Sequence, residues 1–339
     1  MSGNASFRFE DVGVLCVVEC TAPEVITSGD VDDRLGPFYE RAKVRPGLLQ
    51  SLAGIRERRQ WHEGTSFMDA AAMAGRRALD EAGIDPGRVG ILLNTSVARE
   101  RLEPSSAVTV HHLLDLPTTC INYDISNACL GFLNGIHLAG VMIESGQIDY
   151  ALVVDAEGTR EIYDNTIARL LVDDSSIDDL FENFSSLTLG SGAAAMVLGR
   201  HSENPRSHRV VRGFFRAASE HHELCVGSLE KMSTDSKALL DAGTDLAKIA
   251  WDDADKSEWL DMDRYILHQV SKVHTAAMVD VLGIDPERVP MTFPDFGNMG
   301  PAAIPFTLAS VSDSLATGDR VLCMGIGSGL NASVIELLW

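Results

Sequence analysis

Three strand-end sequences in the first half of this chain recur in the second, in the same order and at nearly the same spacing. Ile91-Leu-Leu-Asn94 stands opposite Tyr265-Ile-Leu-His268, Asp124-Ile-Ser-Asn127 opposite Asp295-Phe-Gly-Asn298, and Asp149-Tyr-Ala-Leu opposite Asp319-Arg-Val-Leu, at offsets between 170 and 174 residues. One such match arises easily by chance, whereas three in register point to two similar units. A fourth repeat, Gly83-Ile84-Asp85-Pro86 and Gly283-Ile284-Asp285-Pro286, falls at another offset and reads equally well as a shared turn. Short β-branched runs alternating with longer helical patterns make each unit α/β. Strands are predicted at 12–18, 89–94, 151–154 and 193–198, then at 265–268, 289–293, 320–324 and 332–336. Helices are predicted at 66–82, closed by Gly83, and at 129–144, 274–282 and 302–314. The acidic stretch 173–183 has no counterpart and reads as an inserted cap or loop. The expected division is therefore 1–205, with a cap near 160–187, and 206–339.

Composition narrows the partners. With 339 residues, 45% of them hydrophobic, the chain can bury one large core or two fused ones. A formal net charge of −21 repels nucleic acid and anionic lipid, so neither is an expected partner. An anionic ligand would need a local basic mouth. Six cysteines, at 16, 20, 120, 129, 225 and 323, form no CxxC pair, and several lie in apolar runs. They read as buried, reduced thiols of an intracellular protein. Residues 1–10 are polar with no signal-type apolar region, and no uncharged apolar run reaches membrane-spanning length. A cytoplasmic location is expected.

Asp124 to Leu138 reads DISNACLGFLNGIHL. Small and capping residues precede a helix pattern that is apolar nearly all round, and such a helix belongs at the centre of a protein. Cys129 in its first turn would lie at the positive end of the helix dipole, which favours the thiolate, the nucleophile of acyl transfer. A buried cysteine is more often plain core, and position alone leaves the two readings about even.

The partners tip the balance. His268 closes an apolar strand, and sites of α/β folds collect at strand C-termini. Asn298 lies in the turn-rich run Phe296-Gly-Asn-Met-Gly300-Pro301, where turn chemistry is the bland explanation. Gly325-Ile-Gly-Ser328-Gly329 follows another strand. It is a poor nucleotide motif, because no βα unit follows, but it lets backbone N–H groups approach a ligand closely. Together these supply a nucleophile, a polar pair able to hold a thioester or enolate oxygen, and N–H donors for a tetrahedral intermediate.

Asn127-Ala-Cys129-Leu-Gly-Phe, Leu267-His268-Gln269, Gly297-Asn298-Met-Gly-Pro-Ala and Gly325-Ile-Gly-Ser-Gly329 resemble the active-site signatures of ketoacyl-ACP synthase III-type enzymes of the thiolase superfamily. Order and spacing agree across essentially the whole chain. Asn94-Thr-Ser-Val-Ala-Arg-Glu-Arg-Leu-Glu103-Pro-Ser and Leu187-Thr-Leu-Gly-Ser-Gly-Ala-Ala-Ala-Met196 bring it closest to the OleA-type, non-decarboxylative acyl-CoA condensing enzymes of olefin and β-lactone pathways. The resemblance implies a thiolase fold, layered αβαβα from two duplicated halves, an obligate homodimer, acyl-CoA as substrate, and no metal or redox cofactor. It also implies Cys129, His268 and Asn298 as catalytic residues, with backbone donors at Cys129, Ser328 and Gly329. Ser191 stands where the closest relatives tend to have cysteine. The Arg56 to Arg59 run resembles the family's Gly-Ile-Arg-x-Arg, yet Leu52 replaces an often CoA-contacting arginine. A CoA clamp and a solvated charge run are equally good readings of this run.

Glu103 decides the subfamily. Chain-initiating synthases typically carry an apolar residue before this Pro-Ser, reaching into the partner's pocket. Decarboxylating a malonyl unit generates its own carbanion, whereas joining two plain acyl thioesters requires removal of an α-proton by a base. A carboxylate buried in an acyl channel would be strengthened for that role. A surface glutamate beside a proline is the bland alternative. The expected reaction is non-decarboxylative Claisen condensation of two acyl-CoA thioesters to a 2-alkyl-3-ketoacyl product. The alternatives are a decarboxylative synthase or acyltransferase using a malonyl or other acceptor, and a heterodimer subunit that lends Glu103 to a paralogue.

Overall fold

The computed structural model describes residues 5–228, 231–254 and 256–339; residues 1–4 of the polar N-terminal stretch lie outside them. Nine strands build most of the sheet: β1 (Val12–Thr21), β2 (Val89–Asn94), β3 (Ile121–Asp124), β4 (Tyr150–Glu157), β5 (Gly192–Arg200), β6 (His208–Ala217), β7 (Arg264–Leu267), β8 (Arg320–Gly327) and β9 (Asn331–Leu338). Their order is β7-β8-β9-β6-β1-β5-β4-β2-β3, with the short strand Ser6–Arg8 paired to β6.

Read outward from the centre, β1-β5-β4-β2-β3 is matched by β6-β9-β8-β7. Outward from the seam, each half places its first strand, then its last, its last but one and its second. The senses match too: β2 runs parallel to β4 and β7 to β8, while β4–β5, β5–β1, β8–β9 and β9–β6 are antiparallel. The halves meet where β1 pairs β6 over only Gly13–Arg209 and Val14–His208.

The counterpart of β3 would be the strand expected at 289–293, and it does not form. Pro290 has no N–H to give a ladder. The Gln269 side chain takes over instead, donating to the Pro290 carbonyl (2.7 Å) and accepting from the Thr292 and Phe293 amides (2.8 and 3.2 Å).

Layering follows from which helices are apolar all round. Helix α1 (Phe67–Ala82), capped by Ser66 and closed by Gly83, covers β1, β4 and β5 on the outside. Helix α2 (Ser106–Leu113) lies beside it. Helix α3 (Gly131–Glu144) packs on β4 and β5 of its own half and β9 of the other. At Gly135 a Cβ would stand 2.8 Å from Val153, so glycine permits this close approach to the sheet.

Helices α4 (Arg160–Leu170) and α5 (Ile177–Thr188) replace the expected cap or loop. The acidic stretch becomes helical because Ser176 and Asp179 form a reciprocal capping box. In the second half α6 (Ser236–Asp253) and α7 (Lys272–Leu282) pack together on the outer face, and α8 (Ala303–Val311) packs on β7 and on β1 and β5 of the first half. Helices α3 and α8 thus form a middle layer between two sheet layers, giving αβαβα. The Gly83 and Gly283 repeats close α1 and α7, which are not equivalent in this order, so they are a shared turn. Among the described residues no helix is long and apolar enough to cross a membrane.

Candidate active site

Cys129 lies between β3 and α3, two residues before the first helical residue rather than in the first turn. The chain turns there through Ala128 at φ 45°, and the Leu130 and Gly131 amides donate to the carbonyls of Asn127 and Ala128. Gly131 is required: a Cβ would stand 2.6 Å from the Thr95 carbonyl oxygen. Asn127 braces the turn, donating to Asn134 of α3 (2.7 Å) and accepting from Asn331 at the start of β9 (3.1 Å).

The expected thiolate is not the resting form. Burial pushes the Cys129 thiol up to about 12, and the thiol of Cys225 and carboxylates of Glu157 and Asp155 add in the same direction. The proton must therefore leave as the thiol attacks.

His268 follows β7 directly, its amide donating to the Met324 carbonyl of β8 (2.8 Å). The ring is buried, and neither nitrogen is hydrogen-bonded to the described residues. Burial, with a contribution from His274, lowers its pKa to about 3. The imidazole is neutral at physiological pH and offers one donor and one acceptor. We expect its NMR resonances to stay flat from pH 9 to pH 5; a titration centred near 6.5 would overturn this.

Strand β8 runs between cysteine and histidine. A Cβ at Gly325 would stand 2.8 Å from the His268 Cβ, and one at Gly327 would stand 3.5 Å from the Cys129 nitrogen. Ser328 and Gly329 form the turn that follows, Gly329 at φ 125°.

Asn298 is held by its backbone. Its amide donates to Thr188 and its carbonyl accepts from Gly190, both at 2.9 Å. Its side-chain oxygen accepts from the Gly300 amide (3.0 Å), which orients the NH2 group away as a donor. A Cβ at Gly190 would stand 1.8 Å from the Phe296 carbonyl oxygen. Gly190→Ala should therefore destabilise the fold by about 2–3 kcal/mol, measured by denaturant melting; an unchanged midpoint would show the contact to be slack. The Ser191 hydroxyl accepts from the Thr159 amide (3.1 Å).

The basic run is mixed in exposure, Arg56 standing in solvent and Arg58 in the core. It is a strand, Glu57–Gln60, paired with Glu24–Thr27. Arg56 bonds bidentately to Asp295, Arg58 is fully buried, and Arg59 pairs with Glu57 and lies over the Phe296 ring. The run supports the Asn298 turn.

Glu103 is apart from this group, exposed in the segment between β2 and α2, next to Leu102, which is 89% exposed. Asp124, noticed only as an echo, caps α2 by accepting from the Ser106 and Ala107 amides (2.9 and 2.8 Å). An apolar cavity walled by Phe214, Trp251, Met278, Met324 and Val334 reaches His268. Sequence reasoning missed this cavity, Gln269 as a clamp, and the asparagine brace.

Known proteins sharpen the picture. Residues 123–212 match the 3-oxoacyl-[acyl-carrier-protein (ACP)] synthase III family and residues 253–339 its C-terminal region. An acyl-CoA:acyl-CoA alkyltransferase of Xanthomonas campestris is 40% identical over 336 residues, covering 98% of this chain and 99% of that one. One from Shewanella oneidensis is 36% identical, covering 94% and 96%. Crystal structures of Xanthomonas campestris OleA are 39% identical. A glutamate variant covers 98% of this chain and 99% of its own at TM-score 0.95, and a cysteine variant with bound lauric acid and lauroyl-CoA covers 98% and 100% at 0.94. The two-half layered sheet is accordingly the thiolase fold. The chain belongs to the 3-oxoacyl-ACP synthase III family, on the branch of the OleA acyl-CoA:acyl-CoA alkyltransferases.

Proposed function

We propose that this chain joins two fatty acyl-CoA thioesters by non-decarboxylative Claisen condensation, with Cys129 accepting the first acyl group. The observation that carries the reading is that the glycine-rich end of β8 packs against His268 at Gly325 and against Cys129 at Gly327. Cys129 attacks the first thioester and loses its proton, CoA leaves as the thiol, and an S-acyl enzyme remains. Backbone N–H groups of Cys129 and of the Ser328–Gly329 turn stabilise the oxyanion. The second thioester oxygen takes hydrogen bonds from the neutral His268 ring and the Asn298 amide. Glu103 of the partner subunit removes its α-proton. The carbanion attacks the acyl-enzyme carbonyl and expels Cys129, which recovers a proton. The 2-alkyl-3-ketoacyl thioester is then hydrolysed to the acid.

Support for Glu103 is twofold. It projects from the single chain instead of approaching its own Cys129, which suits a residue delivered to a second copy in a homodimer. The glutamate and cysteine substituted in the Xanthomonas structures also stand as far apart in sequence as Glu103 and Cys129 do here. Residues and substrates account for every proton and electron pair, so we assign no cofactor. The free thiols suit a cytoplasmic enzyme.

The test is to supply a long-chain acyl-CoA alone and follow thiol release and product mass. Steady release with a 2-alkyl-3-keto acid is expected; a single acylation with turnover only on adding malonyl-CoA would overturn the reading.

A further inference from the structure

Glu157, the last residue of β4, is a buried carboxylate that the reaction above does not use. Its two oxygens accept from consecutive amides, Val97 at 2.6 Å and Ala98 at 3.1 Å. These amides open the segment that carries Glu103, and Asp124 holds the far end of that segment through the Ser106 and Ala107 amides. Arg99 lies between, donating to the Ser96 and Ala98 carbonyls and pairing with Asp124. On its other side Glu157 packs against the Asn298 turn, where a Cβ at Gly300 would stand 3.5 Å from the carboxyl carbon. One carboxylate thus touches both the segment bearing the proposed base and the turn bearing the proposed enolate ligand.

We propose that Glu157 is a positioning residue that anchors the Glu103 segment for the partner's site and braces the Asn298 turn of its own, and so sets the rate of condensation without governing acylation. The inference rests on Glu103 acting as the base in a partner's site. Its physical ground is directional. An ionised carboxylate accepts from two N–H groups at once, whereas a neutral carboxyl or amide turns a donor toward one of them. A displacement of about 1 Å at a general base can cost on the order of a hundredfold.

The charged groups facing Glu157 are Asp155 on its own strand, Arg99 on the segment, and Cys129 when ionised. Burial raises Glu157 to about 7, against the pull of the two amides and Arg99. The grip on the segment is therefore full above neutrality and lost as pH falls through about 7.

Glu157→Gln should leave the single-turnover acylation burst within about twofold of wild type while steady condensation falls roughly 10- to 100-fold. Peptides spanning 95–106 should exchange amide hydrogens faster in this variant at pH 8, and in wild type at pH 6. Glu157→Asp keeps the charge at shorter reach and should restore part of the rate together with the acid limb of the pH profile. Equal loss of both steps, or unchanged condensation in a folded Glu157→Gln protein, would overturn the proposal. Glu103→Gln measured alongside separates the readings. Normal condensation there sinks the base assignment, whatever the exchange data show. Lost condensation there with normal condensation in Glu157→Gln sinks only the positioning role.

Discussion

Replacing Cys129 by alanine abolishes acylation, and with it every later step. The expected result is no thiol burst on adding acyl-CoA, no acyl mass adduct, and turnover reduced at least about a thousandfold, because the acyl group has lost its acceptor. Serine should do little better, since a hydroxyl gives up its proton far less readily than a thiol and is the weaker nucleophile here. The raised thiol adds a second expectation: iodoacetamide should modify Cys129 slowly in the free enzyme at neutral pH. Rapid labelling would show that the resting form is the thiolate. A mass adduct surviving in Cys129→Ala would move the nucleophile elsewhere, and Cys225, whose thiol adds to the raising of Cys129, would be the first candidate.

The second large effect separates the two half-reactions. Glu103→Gln should keep the acylation burst and lower condensation about a hundredfold to ten-thousandfold, the usual contribution of a positioned general base. Acyl-enzyme should then accumulate and be visible by intact mass. Mixed dimers of Cys129→Ala with Glu103→Gln offer a sharper test. If the base crosses between subunits, one of the two sites receives both defects and the other receives none, so about half of wild-type activity returns. If the base acts within its own subunit, both sites stay dead.

The site was legible in the sequence because the chemistry restricts the residue types, and because Cys129, His268 and Asn298 sit in turns between elements where small and turn-forming residues crowd. The fully buried strands were legible for a related reason: β4 is apolar on both faces and reads as one continuous run. Strand β6 escaped because Arg209, Arg212 and Arg216 interrupt its pattern. The neighbouring strand supplies the reason Arg212 is tolerated: Glu336 stands opposite it and pairs at 2.6 Å. The expected strand at 289–293 failed because alternating Val289, Met291 and Phe293 outweighed Pro290 in the reading, while Gln269, twenty residues upstream, replaced the ladder. Glu157 and Asn331 were invisible because their meaning lies in partners far along the chain. The thiolate was misjudged for a simpler reason. Sequence shows a helix start, but not the desolvation and neighbouring carboxylates that hold the proton on the sulfur.

The asparagine brace has a consequence for building hybrids of this enzyme. Its two halves share little backbone pairing at their seam, so exchanging the second half for that of a relative should still give a folded sheet. Yet the turn that presents Cys129 is tied to the second half through Asn331 and to its own half through Asn134. A hybrid whose incoming half lacks an amide at that place would fold, bind acyl-CoA and acylate poorly. The nucleophile belongs to the first half by sequence and to both by construction.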